Sequence, residues 1–345
     1  MKEAEAEAEA GFSACKWLNM EQLWETTILV TGGTGLVGYN VLRELAAVSG
    51  NLKLRIIALI RDREKAQRMF APFLDQVELV CGDVLQMPEI LEPIDYILHG
   101  ASITSSKTFV EKPVETIMTA VTGTRNMLEL GRKKNVRSMV YLSSMEAYGT
   151  VRQEKLLSEV DVGYVNPLSL RSSYPESKRL CENLCVAYAA EYGVPVKIAR
   201  LAQTFGPGMP KNDNRAVVQF TRNALANADI QIKASGESAR MYLHTFDAVT
   251  GLLTLLLSGE NATAYNIANK ETYCSVRGLA EMIVKTAGSM SRVLVNTGTE
   301  EERLVYPPDS FLRLHTAKIE DLGWKPCYDL KRSIQSVIQY LEENR

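Results

Sequence analysis

Between Thr27 and about Ala202, short apolar runs alternate with longer stretches in which apolar residues recur every three or four positions. The runs Ile28–Thr31, Arg55–Ile60, Val77–Cys81, Tyr96–His99, Ser138–Ser143 and Val196–Arg200 read as buried strands. Helical segments separate most of them, and repeated strand–helix alternation of this kind predicts a parallel sheet covered on both faces, a doubly wound α/β fold. After Phe205-Gly-Pro-Gly208 the texture changes: Gly206–Asn214 reads as a loop, shorter elements follow, and a final helix is expected at Leu330–Glu343. The pattern therefore predicts a first domain at 23–204 and a smaller C-terminal α/β lobe at 205–345, with segments near 244–267 returning to the first domain. Residues 1–22 form an acidic tail and lead-in. Glu alternates with Ala through Lys2–Ala10, which gives a helix no apolar face, so residues 1–12 are expected to be solvated and frayed.

The first strand runs into Thr31-Gly-Gly-Thr-Gly-Leu-Val-Gly38. A strand, a tight glycine turn and a helix N-terminus together make an anion site, because backbone N–H groups and the positive end of the helix dipole face a pyrophosphate. With another apolar strand at Arg55–Ile60, the context is that of a dinucleotide-binding βαβ unit, and the first domain reads as Rossmann-type.

Composition narrows the reading. The chain has 345 residues, 46% hydrophobic and 23% charged, with a net charge of −2. That balance suits a globular protein and gives no electrostatic case for nucleic acid or an anionic membrane. The longest apolar stretch, Gly251–Ser258, is far short of the roughly 20 residues a membrane span needs. No C-x-x-C pair occurs among the cysteines and no metal cluster is expected. With no secretory n- or h-region at the start, the expected compartment is a reducing cytoplasm.

Chemistry-bearing residues sit in Tyr174-Pro-Glu-Ser-Lys178, whose continuation repeats Cys181, Leu184, Cys185 and Tyr188 at helical spacing. Tyr174 and Lys178 then share a helix face. A phenol of pKa about 10 is a poor base at neutral pH, and an adjacent ammonium favours its phenolate. Thirty residues earlier, an apolar strand ends in Leu142-Ser-Ser-Met-Glu146 and offers a hydroxyl at its carboxyl end.

In this order, glycine turn, serine-ended strand and Tyr-x-x-x-Lys helix, the chain resembles the extended short-chain dehydrogenase/reductases of the NAD-dependent epimerase/dehydratase family, over about residues 26–343. Further matches are Gly82-Asp83-Val84, His99-Gly-Ala-Ser102, Val121-Thr-Gly-Thr-Arg-Asn126, Arg200–Gly208, Gly236–Asp247 and Leu322-Gly-Trp-Lys-Pro326. Ala120 and Gln203 stand where the family usually has Asn.

The resemblance implies a cofactor held by Gly32, Gly35 and Gly38, with Leu36 and Val37 at the helix start. Asp83 and Val84 would border its adenine, and Gly100, Ala101 and Ser102 would pass beside it. After the second strand, either Arg61 or Asp62 occupies the position that reads the ribose. An acid there fits NAD, the expected cofactor, while an arginine leaves NADP open.

By the same resemblance, Ser144 polarises the sugar C4 oxygen, Tyr174 takes the C4 hydroxyl proton, and Lys178 lowers the tyrosine pKa and holds the nicotinamide ribose. Gln203, Asn212, Arg215 and Arg240 would bind a nucleoside-diphosphate sugar, Arg240 gripping its diphosphate. Dehydratases of the family place an acidic pair after the catalytic hydroxyl, as in T-D-E. Ser144-Met145-Glu146 lacks the first acid and is closer to the T-S-E of UDP-glucuronate decarboxylases, with Glu146 left as the acid–base group. A nucleotide-sugar 4-epimerase, a 4,6-dehydratase and an NADPH-dependent keto-sugar reductase are the alternatives. A homodimer is implied through helices holding Val114–Arg132 and Glu176–Tyr192, with Val121, Leu128, Leu184 and Tyr188 as apolar faces that suit burial within one subunit equally well.

Overall fold

A computed structural model describes residues 11–12, 14–209, 213, 215–232, 234–296 and 309–344. Its strands are β1 (Thr27–Thr31), β2 (Arg55–Ile60), β3 (Val77–Cys81), β4 (Tyr96–His99), β5 (Ser138–Ser144), β6 (Leu156–Leu157), β7 (Val196–Leu201), β8 (Gln203–Phe205), β9 (Ile230–Ile232), β10 (Ala239–Arg240), β11 (Tyr242–His244), β12 (Ala264–Ile267), β13 (Cys274–Ser275), β14 (Val293–Val295) and β15 (Phe311–Leu314). The helices are α1 (Leu36–Leu52), α2 (Arg63–Phe70), α3 (Ser106–Glu111), α4 (Pro113–Lys134), α5 (Ser173–Tyr192), α6 (Ala216–Leu225), α7 (Thr245–Ser258), α8 (Val276–Thr286), α9 (Ala317–Asp321) and α10 (Leu330–Glu343).

A seven-stranded sheet in the order β12-β7-β5-β4-β1-β2-β3 forms the centre, and every pairing in it is parallel. The chain moves outward from β1 through β2 to β3 and then crosses back to β4, so the order reverses between β1 and β4. Ligands of open α/β sheets bind outside the carboxyl ends of the strands at such a reversal. The apolar runs explain the burial: β1 and β4 are buried throughout, while β3 at the edge is half exposed.

Helix α7 carries the longest apolar run, and all but its last two residues are buried. An all-round apolar helix must lie inside a core. It packs against the sheet, where Trp324 donates its indole N–H to Thr250 Oγ1 at 3.1 Å, and it delivers the chain to β12.

A second core forms around Phe205, Val218, Phe220, Ile283 and Ile334, bringing together α6, α8, α10 and the β8–β11 pair. A smaller sheet in the order β13-β10-β15-β6 holds Arg240 beside Leu312 and Cys274. Among the described residues no helix is long and apolar enough to cross a membrane.

The lead-in differs from the expectation of a frayed tail up to residue 12. Phe12 is buried with its ring 5.9 Å from that of Phe246, and Cys15 joins the same core, so apolar contact with α7 overrides the polar start. Residues 1–10 lie outside the described residues.

Candidate active site

At the turn after β1, where the resemblance expects the cofactor, the backbone forms the surface. Gly32 follows β1 with φ of +77°, and a Cβ there would come within 2.6 Å of the Gly100 carbonyl carbon. A Cβ on Gly38 would lie 2.3 Å from the Gly32 carbonyl oxygen. Only glycine permits both the left-handed turn and the close approach of α1 to it. Gly35 caps α1 in extended conformation, so the N–H groups of Leu36, Val37 and Gly38 occupy the first turn of the helix. Thr31 ties the turn after β4 in place: its Oγ1 accepts from Ala101 N–H at 3.1 Å and lies 2.8 Å from His99 Nδ1. Ser102 follows, its hydroxyl 3.4 Å from the Ile103 carbonyl.

The other motif residues explain themselves as supports for this edge. Gly123 admits Val84, whose Cγ2 would sit 2.8 Å from a Cβ there, and Asn126 donates to the Val84 carbonyl at 2.8 Å. His99 is enclosed, its Nε2 3.3 Å from Thr124 Oγ1, and burial lowers its pKa to about 3, so the ring is neutral. Asp83 accepts from Leu85 N–H and lies 3.8 Å from Arg61. Arg61 directly follows β2. Asp62 instead caps α2, its carboxylate accepting from Lys65 N–H at 2.9 Å.

The structure brings Ser144, Glu146, Tyr174 and Lys178 together at the carboxyl end of β5. Ser144 ends the strand and its hydroxyl accepts from Glu146 N–H at 3.2 Å. Tyr174 and Lys178, on the first turns of α5, are both buried. Lys178 Nζ donates to the Leu142 carbonyl at 2.7 Å and sits between two rings, 4.9 Å from the Tyr141 centroid and 5.6 Å from that of Tyr174.

Burial and the neighbouring charges set the electrostatics of this cluster. The tyrosine pKa is raised rather than lowered: burial dominates, the Glu146 charge adds to it, and the Ser144 hydrogen bond and Arg171 only partly oppose it. Lys178 itself is pushed down to about 8 by burial. Burial makes a phenolate costly in this interior. A cationic nicotinamide ring beside the phenol would act in the missing direction.

Two residues of this cluster had no role in the sequence reading. Arg171, three before Tyr174, donates from Nη2 to Glu146 Oε2 at 2.7 Å, and its guanidinium lies 4.7 Å from the Phe109 ring centroid. Phe109 in turn stacks on Tyr174, with centroids 4.3 Å apart and planes 10° from parallel. Arg171 lies just before the Tyr174–Lys178 motif, and nothing in the sequence signals Phe109. Met145, which takes the place of a dehydratase acid, is 3% exposed and belongs to the apolar core.

On the substrate side, Gln203 is half-buried in β8 and pairs with Tyr242. Arg215 at the start of α6 is bound by the Asp213 carboxylate at 2.5 Å and donates to the Thr204 carbonyl at 3.1 Å, so part of its charge is already matched. The Nε of Arg240 is buried without a hydrogen-bond partner among the described residues, which fits an anionic acceptor such as a diphosphate. Asn212 lies outside the described residues.

This combination of a parallel sheet, a glycine turn and a Ser–Tyr–Lys cluster defines a dinucleotide-dependent enzyme of the short-chain dehydrogenase/reductase type. The chain belongs to the NAD dependent epimerase/dehydratase family, whose sequence profile matches residues 28–268. It is 31% identical over 316 residues to UDP-glucuronic acid decarboxylase 1 of Xenopus tropicalis, spanning 92% of this chain and 72% of that protein. UDP-glucuronic acid decarboxylase 4 of Arabidopsis thaliana is 30% identical, over 90% of this chain and 68% of its own length. Among solved structures, a dTDP-glucose 4,6-dehydratase from Streptomyces venezuelae with NAD bound shares the fold at a TM-score of 0.78 and 23% identity, covering 93% of this chain and 98% of that one. A UDP-glucuronic acid 4-epimerase from Bacillus cereus, in complex with UDP-glucuronic acid and NAD, does so at a TM-score of 0.77 and 19% identity, covering 93% of this chain and all of that one (100%).

Proposed function

We propose that this chain decarboxylates a nucleoside-diphosphate uronate, with UDP-glucuronate the first candidate, by transient oxidation at C4. The observation that carries this reading is the triplet at the end of β5: Ser144 and Glu146 lie at the Tyr174 cluster, while Met145 is packed in the core. A dehydratase needs a proton donor to expel the C6 hydroxyl, and a buried thioether supplies none. The two decarboxylase relatives favour the same outcome.

NAD suits the glycine cradle of Gly32, Gly35 and Gly38, and when bound it supplies the hydride acceptor for C4 and returns the hydride at the end. Tyr174 takes the C4 hydroxyl proton, and Ser144 donates a hydrogen bond to the oxygen that becomes the ketone. Lys178 holds the ribose side and the local positive charge. With the ketone formed, the C5–C6 bond breaks, carbon dioxide leaves, and its electron pair flows into the C4 carbonyl. The resulting enolate takes a proton at C5, and Glu146 is the nearby acid–base group for that step. Arg240 grips the diphosphate and Arg215 supports it, with Gln203 and Asn212 completing the substrate side.

A cyclic hydride transfer needs no net reductant, so a tightly held NAD is the simpler cofactor, with Arg61 leaving NADP accessible. The reading extends to a homodimer in a reducing cytoplasm. Leu128 and Tyr188 are buried within the subunit, but Val114, Ile117 and Met118 on α4 and Leu180 on α5 form an exposed apolar face for a second copy. Mass spectrometry tests the function, on UDP-, dTDP-, CDP- and GDP-sugars, uronates included, incubated with the protein and NAD. Loss of carbon dioxide from UDP-glucuronate is the expected result. An isomer of unchanged mass, or loss of water from a neutral hexose, overturns it.

A further inference from the structure

Arg171 stands in a short turn, Leu170–Ser172, just before α5, and is fixed from two directions. Glu146 accepts from its Nη2, and the Phe109 ring carries its guanidinium face. Phe109 is itself enclosed, being 1% exposed, stacked on Tyr174 and held through its carbonyl by the Ser173 hydroxyl at 3.0 Å. The guanidinium is thus one ring layer from the phenol that serves C4. A guanidinium has five N–H donors, and only the one on Glu146 meets a protein acceptor among the described residues. Its side chain is 40% exposed, so the others are accessible.

A uronate places its carboxylate on C5, next to the C4 that Tyr174 serves. The same small region must then contain that carboxylate and the one on Glu146. Two like charges so close oppose each other's ionised form. A neutral hexose brings no such charge.

We propose that Arg171 sets the site's preference for an acidic sugar: paired with Glu146 it cancels that carboxylate, and its remaining N–H groups donate to the carboxylate of the substrate. Arginine suits this double duty because its planar fork can serve two carboxylates from different edges while stacked on an aromatic face. The inference rests on the uronate reading above and deepens it to a selectivity-determining residue.

Calorimetric titration of UDP-glucuronate and UDP-glucose tests it, in the Tyr174→Phe background that holds turnover down. Arg171→Gln is expected to weaken UDP-glucuronate at least about tenfold and to leave UDP-glucose within about threefold, since specificity is a difference of affinities. Arg171→Lys, which keeps the charge, should retain a measurable part of the preference. Adding Glu146→Gln to Arg171→Gln should restore part of the lost uronate affinity, as expected for residues acting through one charge balance. Equal weakening of both ligands, or no change in either, overturns the role of Arg171. If the parent protein does not bind UDP-glucuronate, the uronate reading and this inference fall together. If the selectivity behaves as stated but wild-type protein leaves UDP-glucuronate unchanged in mass, only decarboxylation is overturned.

Discussion

Around Gly32 and Gly38, a side chain would meet backbone atoms at distances it could not tolerate; around Glu146 and Asp213, charges are held in pairs, Glu146 on Arg171 and Asp213 on Arg215, with the Nε of Arg240 buried and without a hydrogen-bond partner among the described residues. Under the proposed function the cofactor side works by backbone shape, with the neighbouring His99 kept neutral, and the substrate side works by charge balance between side chains. A backbone cradle accepts the same dinucleotide whatever sugar is processed. A set of paired charges can be retuned one residue at a time.

The comparison can be broken at either end. Tyr174→Phe should slow turnover by about 10³-fold, the range of a lost acid–base group, while leaving NAD affinity nearly unchanged by titration. Equal loss of both would mean that the phenol supports the cofactor side. Next in size is Met145→Asp, which places a carboxyl in the apolar core and should destabilise the fold by about 3 kcal/mol in urea unfolding without conferring dehydration. Water loss in that variant would show that Met145 faces the sugar.

Gly38→Ala sharpens the other side. Strain of about 2 kcal/mol from the added methyl should weaken NAD roughly 30-fold, with UDP affinity unaffected. The smallest effect concerns His99, whose folded-state pKa of about 3 lies below its ordinary value of 6.5. The unfolded chain therefore binds the extra proton, so stability from the neutral ring is complete above about pH 6.5 and is lost as pH falls toward 3. Between pH 7 and 5.5 this amounts to about 1 kcal/mol, and His99→Gln should remove that much of the pH dependence in paired urea titrations. Using the difference between variant and wild type matters, because Asp247, raised to about 7 by burial, changes stability in the opposite sense over the same window.

The same division explains what could be read from the sequence. Buried strands announce themselves as unbroken apolar runs, and the glycine turn, the serine-ended strand and the Tyr-x-x-x-Lys spacing are local patterns, so the sheet and the cofactor edge were legible. The lead-in was not, because Phe12 is buried by Phe246, a partner far along the chain. The layering of Arg171, Phe109 and Tyr174 depends on α3 folding back over α5, which no spacing encodes. The burial that raises the Tyr174 pKa was not legible for a related reason: adjacency to Lys178 is a matter of spacing, whereas enclosure is a property of the folded chain.

The central claim is a C4 oxidation that returns its own hydride while carbon dioxide is lost. The most direct measurement follows UDP-glucuronate deuterated at C4 through turnover with unlabelled NAD. The account predicts a product lighter by carbon dioxide that retains the deuterium, with no net NADH. A product of unchanged mass, or one from which the deuterium has passed to the free cofactor pool, would contradict it.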